Sequence, residues 1–182
     1  MLYILTGDIR SGKTTFLQAL ADLLRRRAVR VSGILSVRRF GADGSDGYDA
    51  VGLPSFGSVL LCADRKETGF FTREIYHFNP DGFAFGETVF DVAGHDGTEV
   101  FILDEIGPLE AEGKGWANLL GRLLKAGFPV VIVAMRRSVL DGITSGWDGL
   151  PFSVWDIARS DVNKMAGQIE EALSVPDKSC RP

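Results

Sequence analysis

The stretch GDIRSGKT at residues 7–14 decides how this chain is read. Before it, Leu2 to Thr6 is a nearly continuous apolar run, the pattern of a strand buried on both faces of a parallel sheet. After it, Phe16, Leu17, Leu20, Leu23 and Leu24 recur at helical spacing and share one face. The stretch is therefore a strand-to-helix turn, with glycines at 7 and 12 followed by Lys13 and Thr14. That spacing satisfies G-x-x-x-x-G-K-[ST]. Glycines let the backbone curl until successive N–H groups converge, and the helix N-terminus adds a dipole that favours an anion.

The turn reads as a phosphate cradle, with Gly7, Asp8, Ile9, Arg10, Ser11, Gly12, Lys13, Thr14 and Thr15 as its candidate nucleotide-binding residues. Lys13 would bridge the β- and γ-phosphates, and the Thr14 hydroxyl would hold magnesium. Asp8 is expected to turn away from the phosphates, and Arg10 to point to solvent, the alternative being that it reaches the γ-phosphate. A cradle of this kind needs a carboxylate for its metal, and VFILDEIGPLE at residues 100–110 supplies Asp104 after four apolar residues. A charge at such a strand end belongs at a site or on the rim, because burying it unpaired is costly. Asp104 is the second candidate metal residue. Glu105 is the candidate base that orients and deprotonates the attacking water, and Lys13 and Glu105 form the candidate catalytic pair.

GDIRSGKTT, GYDAVGL and DEIGPLE, in that order along the chain, resemble a small P-loop nucleoside-triphosphatase family first known from thermophiles. The resemblance runs to the last helix. It implies a nucleotide-kinase-like fold and slow magnesium-dependent hydrolysis of ATP, GTP and other nucleoside triphosphates, with little base preference. It carries over to Gly7, Gly12, Lys13, Thr14, Asp104 and Glu105. Where that family tends to have a second glycine in the loop, this chain has Arg10. An unassisted P-loop hydrolase turns over at about 10⁻⁴ to 10⁻² per second, the range expected here.

The rest of the chain is organised around these motifs. Alternating strand and helix patterns predict a three-layer α/β P-loop NTPase fold, with a mainly parallel sheet and helices on both faces. SGILSVRRF, YDAVGL, GSVLLCAD and REIYHFN read as short strands, so a β-rich antiparallel insertion is expected between about residues 31 and 78. FAFGETVFDVAGHD is read as a helix, followed by strands at EVFILDE, FPVVIVAM and PFSVWDI and by helices at Trp116–Leu124, Val139–Ser145 and Asp161–Leu173. Residues 1–174 form one predicted domain, and 175–182 a loose tail.

A competing reading is a nucleotide or small-molecule kinase. The segment RRSVLDGITSGWDGL, where a lid would lie, offers only Arg136 and Arg137 as cations for the transferring phosphate. A GTP switch would carry N-K-x-D, and NKMA at Asn163 lacks the aspartate. DIARSD, after the last strand, is where a base could rest, and nothing in it dictates which base. The net charge of −4 argues against a nucleic-acid partner. No run is long and apolar enough for a membrane span. Cys62 and Cys180 have no metal or disulfide spacing, which suits a cytoplasmic protein, and His77 and His95 read as strand and loop residues. The three tryptophans read as packing, as do the phenylalanines and Tyr76 of the β-rich segment, although that segment could equally frame a substrate; Arg25–Arg27 read as complements to a helix C-terminus. No protein partner is indicated.

Overall fold

A computed structural model describes residues 1–42, 44–54, 56–65, 69–73, 75–147 and 149–174. The predicted tail, with Cys180, lies outside these residues. A nine-stranded sheet runs through the molecule, built from β1 (Leu2–Gly7), β2 (Val31–Phe40), β3 (Asp46–Leu53), β4 (Gly57–Ala63), β5 (Phe71–Arg73), β6 (Tyr76–Phe78), β7 (Val100–Ile106), β8 (Val130–Arg136) and β9 (Phe152–Asp156). Their order across the sheet is β5-β6-β4-β3-β2-β7-β8-β1-β9. The pairs β2–β7, β7–β8, β8–β1 and β1–β9 are parallel. The pairs β2–β3, β3–β4, β4–β6 and β6–β5 are antiparallel.

Helices α1 (Lys13–Arg26) and α6 (Val162–Ser174) cover one face; α2 (Pro80–Ala93) and α4 (Ala117–Leu123) cover the other. Strand alternation divides the core between them. Tyr3, Leu5, Val100, Ile102, Val130 and Ile132 pack with Phe16, Leu17, Leu20 and Leu24 of α1. Ile4, Phe101, Leu103, Val131 and Val133 pack with Val89, Phe90, Leu119 and Leu123. Each fully buried Leu, Ile or Val of these layers stabilises the fold by about 1.5–3 kcal/mol. Two short helices, α3 (Pro108–Ala111) and α5 (Leu140–Thr144), follow β7 and β8. No helix among the described residues is long and apolar enough to cross a membrane.

Two expectations need correction. Val31–Ile34 pairs in parallel with Val100–Leu103 and so belongs to the core; the same strand then pairs antiparallel with β3 from Gly33 to Phe40. The antiparallel extension therefore starts inside β2. REIYHFN is not one strand: Phe71–Arg73 and Tyr76–Phe78 fold onto each other as β5 and β6. Helix α2 begins three residues before FAFGETV, at an Asn-Pro-Asp start. The Asn79 carboxamide oxygen accepts from the Asp81 N–H at 3.1 Å and Pro80 takes the first turn.

This topology gathers the carboxyl ends of β1, β7 and β8 on one rim, with β8 between the other two. In open α/β sheets that rim is where ligands bind. Because β2 outruns its pairing with β7, Ser36 extends past Leu103 to the same rim.

Candidate active site

The turn after β1 enters α1 through Gly12, whose φ of 92° is a left-handed conformation that a side chain disfavours. No side chain caps the helix there, so its first N–H groups suit an anion. Gly7 is required for another reason: a Cβ would come 2.5 Å from Ile157 and 2.7 Å from the Ser11 hydroxyl. Arg10, where the resemblance expects glycine, adopts φ 60°. The loop thus holds a residue with a side chain in a left-handed conformation that glycine adopts more readily.

Lys13 is buried, 4% exposed, and curls back over the loop. Its Nζ donates to the Asp8 carbonyl at 2.9 Å and the Gly7 carbonyl at 3.2 Å, and pairs with Glu105 Oε1 at 2.7 Å. Arg136 Nε donates to the other oxygen of Glu105, also at 2.7 Å. Glu105 is thus held between two cations, one from the loop after β1 and one from the end of β8. The position of β8 between β1 and β7 makes this arrangement possible. Arg136 also lies against Gly107, where a Cβ would come 3.2 Å from its Nε.

Beside this pair, Thr14 Oγ1 donates to Asp104 Oδ2 at 2.7 Å. Asp104 is 1% exposed. Burial pushes its carboxyl up to about 7, helped by the neighbouring Glu105, while the Thr14 hydroxyl, the Ser36 N–H and Lys13 pull the other way. Ser36 grips the residue twice, through its N–H to Oδ2 at 3.2 Å and its hydroxyl to the Asp104 carbonyl at 2.6 Å. A threonine hydroxyl beside a carboxylate is a hard-oxygen pair that fits magnesium. That ion needs only one or two protein oxygens, because water and phosphates complete its shell. Among the described residues no cluster of three or more His, Cys, Asp or Glu could hold a metal by itself.

The turn after β7 is locked by Glu110, which accepts from the Gly107 N–H at 2.8 Å and the Trp116 N–H at 3.0 Å. These bonds oppose the upward pull of burial on its carboxyl. The loop, Glu105 and this turn open onto a cleft of about 740 Å³. Residues 9–15 and Arg136 line one part; Tyr48, Cys62, Tyr76 and Phe78 of the antiparallel strands line another.

Not every candidate meets here. Asp8 contributes its carbonyl, while its carboxylate is exposed and faces Arg137 at 3.5 Å. Arg137 pairs with Asp156 at 3.0 Å and lies outside the cleft lining. The chain leaves β8 at Arg137 in a 3₁₀ turn, so the two neighbouring arginines diverge. Arg10 lines the cleft as well as facing solvent. The DIARSD loop touches Gly7 through Ile157. The lid segment forms a 3₁₀ turn and α5, with Trp147 edge-on to Phe152. His77 bonds Thr72 and His95 the Asp91 carbonyl, each at 2.7 Å. Arg27 pairs with Glu170 at 2.6 Å. Sequence reading missed Ser36 and Glu110, and left open whether the antiparallel segment packs as core or frames a substrate. A serine inside a strand run carries no local signal, and the wall exists only once five strands align.

A family model described as NTPase matches residues 2–169. A nucleoside-triphosphatase THEP1 of Pyrococcus abyssi is 26% identical over 152 residues, 76% of each chain. The crystal structure of THEP1 from the hyperthermophile Aquifex aeolicus superposes with a TM-score of 0.69 at 17% identity, over 96% of this chain and 100% of that one. The solution structure of a human cancer-related nucleoside triphosphatase gives 0.68 at 19% identity, over 100% and 98%.

Proposed function

The chain belongs to the NTPase family, and from that premise we propose that it hydrolyses magnesium-bound nucleoside 5′-triphosphates to diphosphate and phosphate, slowly and with little base preference. The observation that carries the reading is Glu105, held between Lys13 and Arg136 at the open end of the phosphate loop. Thr14 and Asp104 would hold magnesium, which when bound neutralises charge on the β- and γ-phosphate oxygens.

The residues of the chain supply the rest. The N–H groups of residues 7–15 and Lys13 bind the phosphates, and the phosphate oxygens compete with Glu105 for Lys13 and Arg136. Release from those cations frees a carboxylate oxygen beside the γ-phosphate. Glu105 then accepts a proton from water as the water oxygen bonds to the γ-phosphorus and the bond to the bridging oxygen breaks. Arg136, which pairs with Glu105, rather than Arg137, which pairs with Asp156, would stabilise the charge on the transferring group. The binding groups assigned here all act on the phosphate chain that every nucleoside triphosphate shares, which supports the broad base use proposed. On this reading residues 1–174 act as one catalytic unit, and a cytoplasmic location accords with this chemistry.

The test is phosphate release from ATP and GTP with magnesium, together with triphosphate binding. Lys13→Ala should lose most binding, and Glu105→Gln should keep binding but lose at least about a hundredfold in turnover, the scale of a positioned base. Full turnover in Glu105→Gln would refute the assigned base.

A further inference from the structure

The cleft is larger than the phosphate loop requires, and its far wall is built by the antiparallel extension. Across that extension Arg38 stands opposite Tyr48, Tyr48 opposite Cys62, and Cys62 opposite Phe78. Residues directly opposite in a ladder project to the same face. Tyr76, two residues from Phe78, shares that face, and Arg73 stands opposite Tyr76. The β-bulge between Tyr48 and Asp49 shifts the register just beyond this row. The strands thus present aromatic rings between two arginines. Tyr48 and Tyr76 meet edge-to-face at 5.7 Å, and Phe83 packs edge-on against Trp116 at 4.8 Å along the same cleft.

This wall lies at the γ end of the site. Thr14, Asp104 and Glu105 mark where the terminal phosphate would sit, and the ring-lined part opens on the same side as Glu105 and Arg136. The Ile157–Arg159 turn follows β9, at the opposite edge of the sheet, and packs against Gly7; on the reading above, the nucleoside would leave the phosphate chain at that end. The charges of the wall are already matched. Arg38 binds Asp46 through two bonds of 3.0 and 2.6 Å, and Arg73 binds Glu112 at 2.7 Å. The Cys62 thiol, pushed by burial up to about 12, stays protonated. A cleft of about 740 Å³ falls within the range of about 300–1,000 Å³ that takes small-molecule ligands, and a ring-lined wall whose charges are paired favours a flat, uncharged one.

We propose that the ring-lined half of the cleft is a second-substrate subsite for a neutral heteroaromatic alcohol, whose hydroxyl takes the place of water as acceptor of the γ-phosphate. The subsite rests on the triphosphate reading above and shares its base. The hydroxyl oxygen bonds to the γ-phosphorus, and its proton passes to Glu105. The bond from the γ-phosphorus to the β,γ-bridging oxygen breaks, and the nucleoside diphosphate leaves with that electron pair. The products are a phosphomonoester and a nucleoside diphosphate. The extension then acts to admit an acceptor, which hydrolysis alone would not need.

The experiment incubates the protein with magnesium and γ-labelled ATP, alone and with millimolar adenosine, cytidine or pyridoxine, and with AMP and CMP as anionic counterparts. Labelled products are separated from inorganic phosphate. The expected result is a labelled phosphomonoester from at least one neutral alcohol, formed at the expense of free phosphate. Tyr76→Ala should raise KM for that alcohol about tenfold, an effect of roughly one stacking contact, whereas Tyr76→Phe should restore it. Free phosphate in every reaction with no labelled alcohol overturns the subsite and leaves hydrolysis standing. Label transferred to the monophosphates only also overturns it. If neither free phosphate nor labelled product forms, the triphosphate reading falls and the subsite falls with it.

Discussion

At residue scale the phosphate loop holds a residue with a side chain in a left-handed conformation. Arg10 holds φ 60°, a conformation that costs an L-residue about 1–2 kcal/mol. Arg10→Gly relieves that cost but adds about 0.5–1 kcal/mol of backbone entropy to be lost on folding. The net expectation is a gain of up to about 1 kcal/mol in urea denaturation, whereas Arg10→Ala keeps the strain and gains nothing. Equal stability of the two variants would mean that the loop is not strained at this position. The same residue marks the limit of reading the motif: GDIRSGKT specified the glycines, lysine and threonine by spacing, but no spacing says which intervening residue must turn left-handed. Asp104 and Glu105 were recognisable as a pair of charges at the end of an apolar run. Their partners were not, because Ser36 and Arg136 come from strands far away in sequence.

At the scale of elements, helix α2 was the hardest to read because Gly82 and Gly86 interrupt its pattern. Both glycines are places of close approach. A Cβ at Gly82 would come 2.8 Å from the Leu60 carbonyl oxygen, and one at Gly86 would run into the ring of Trp116. These neighbours belong to β4 and to the start of α4, so nothing in α2 itself explains the glycines. Gly86→Ala should therefore destabilise by about 1–2 kcal/mol, overpacking outweighing the gain in helix propensity. Gly167 in α6 has open space where a Cβ would stand, and Gly167→Ala should stabilise by about 0.5–1 kcal/mol. Thermal denaturation of the two variants checks the opposite signs; a gain in both would mean that Trp116 can move aside. The strands of the parallel core were clear from their apolar runs. The two short strands β5 and β6 were not, because three residues carry too little periodicity to separate a hairpin from a single strand.

At the scale of the whole molecule, the buried Asp104 couples the site to stability. Its folded-state pKa of about 7 lies above the ordinary carboxylate value. The folded state therefore binds this proton more tightly than the unfolded one. The stability it contributes is fully present below about pH 4 and is lost as pH rises through about 7. Without magnesium, the wild type should lose about 1–2 kcal/mol more than Asp104→Asn between pH 5.5 and 8, read as the difference in urea midpoints. Parallel pH profiles for the two proteins would show that Asp104 is not the group responsible. The chain order of apolar runs and turn residues was enough to determine the phosphate loop, the alternation of strands with helices and the carboxylates at the end of β7, because each is encoded within a few neighbouring residues. Tertiary structure alone decided that β8 lies between β1 and β7, so that Arg136 rather than Arg137 reaches Glu105, and that five strands align one row of side chains as the cleft wall. Strand order and register are set by packing and ladder hydrogen bonds between segments distant in sequence, and no local pattern records them.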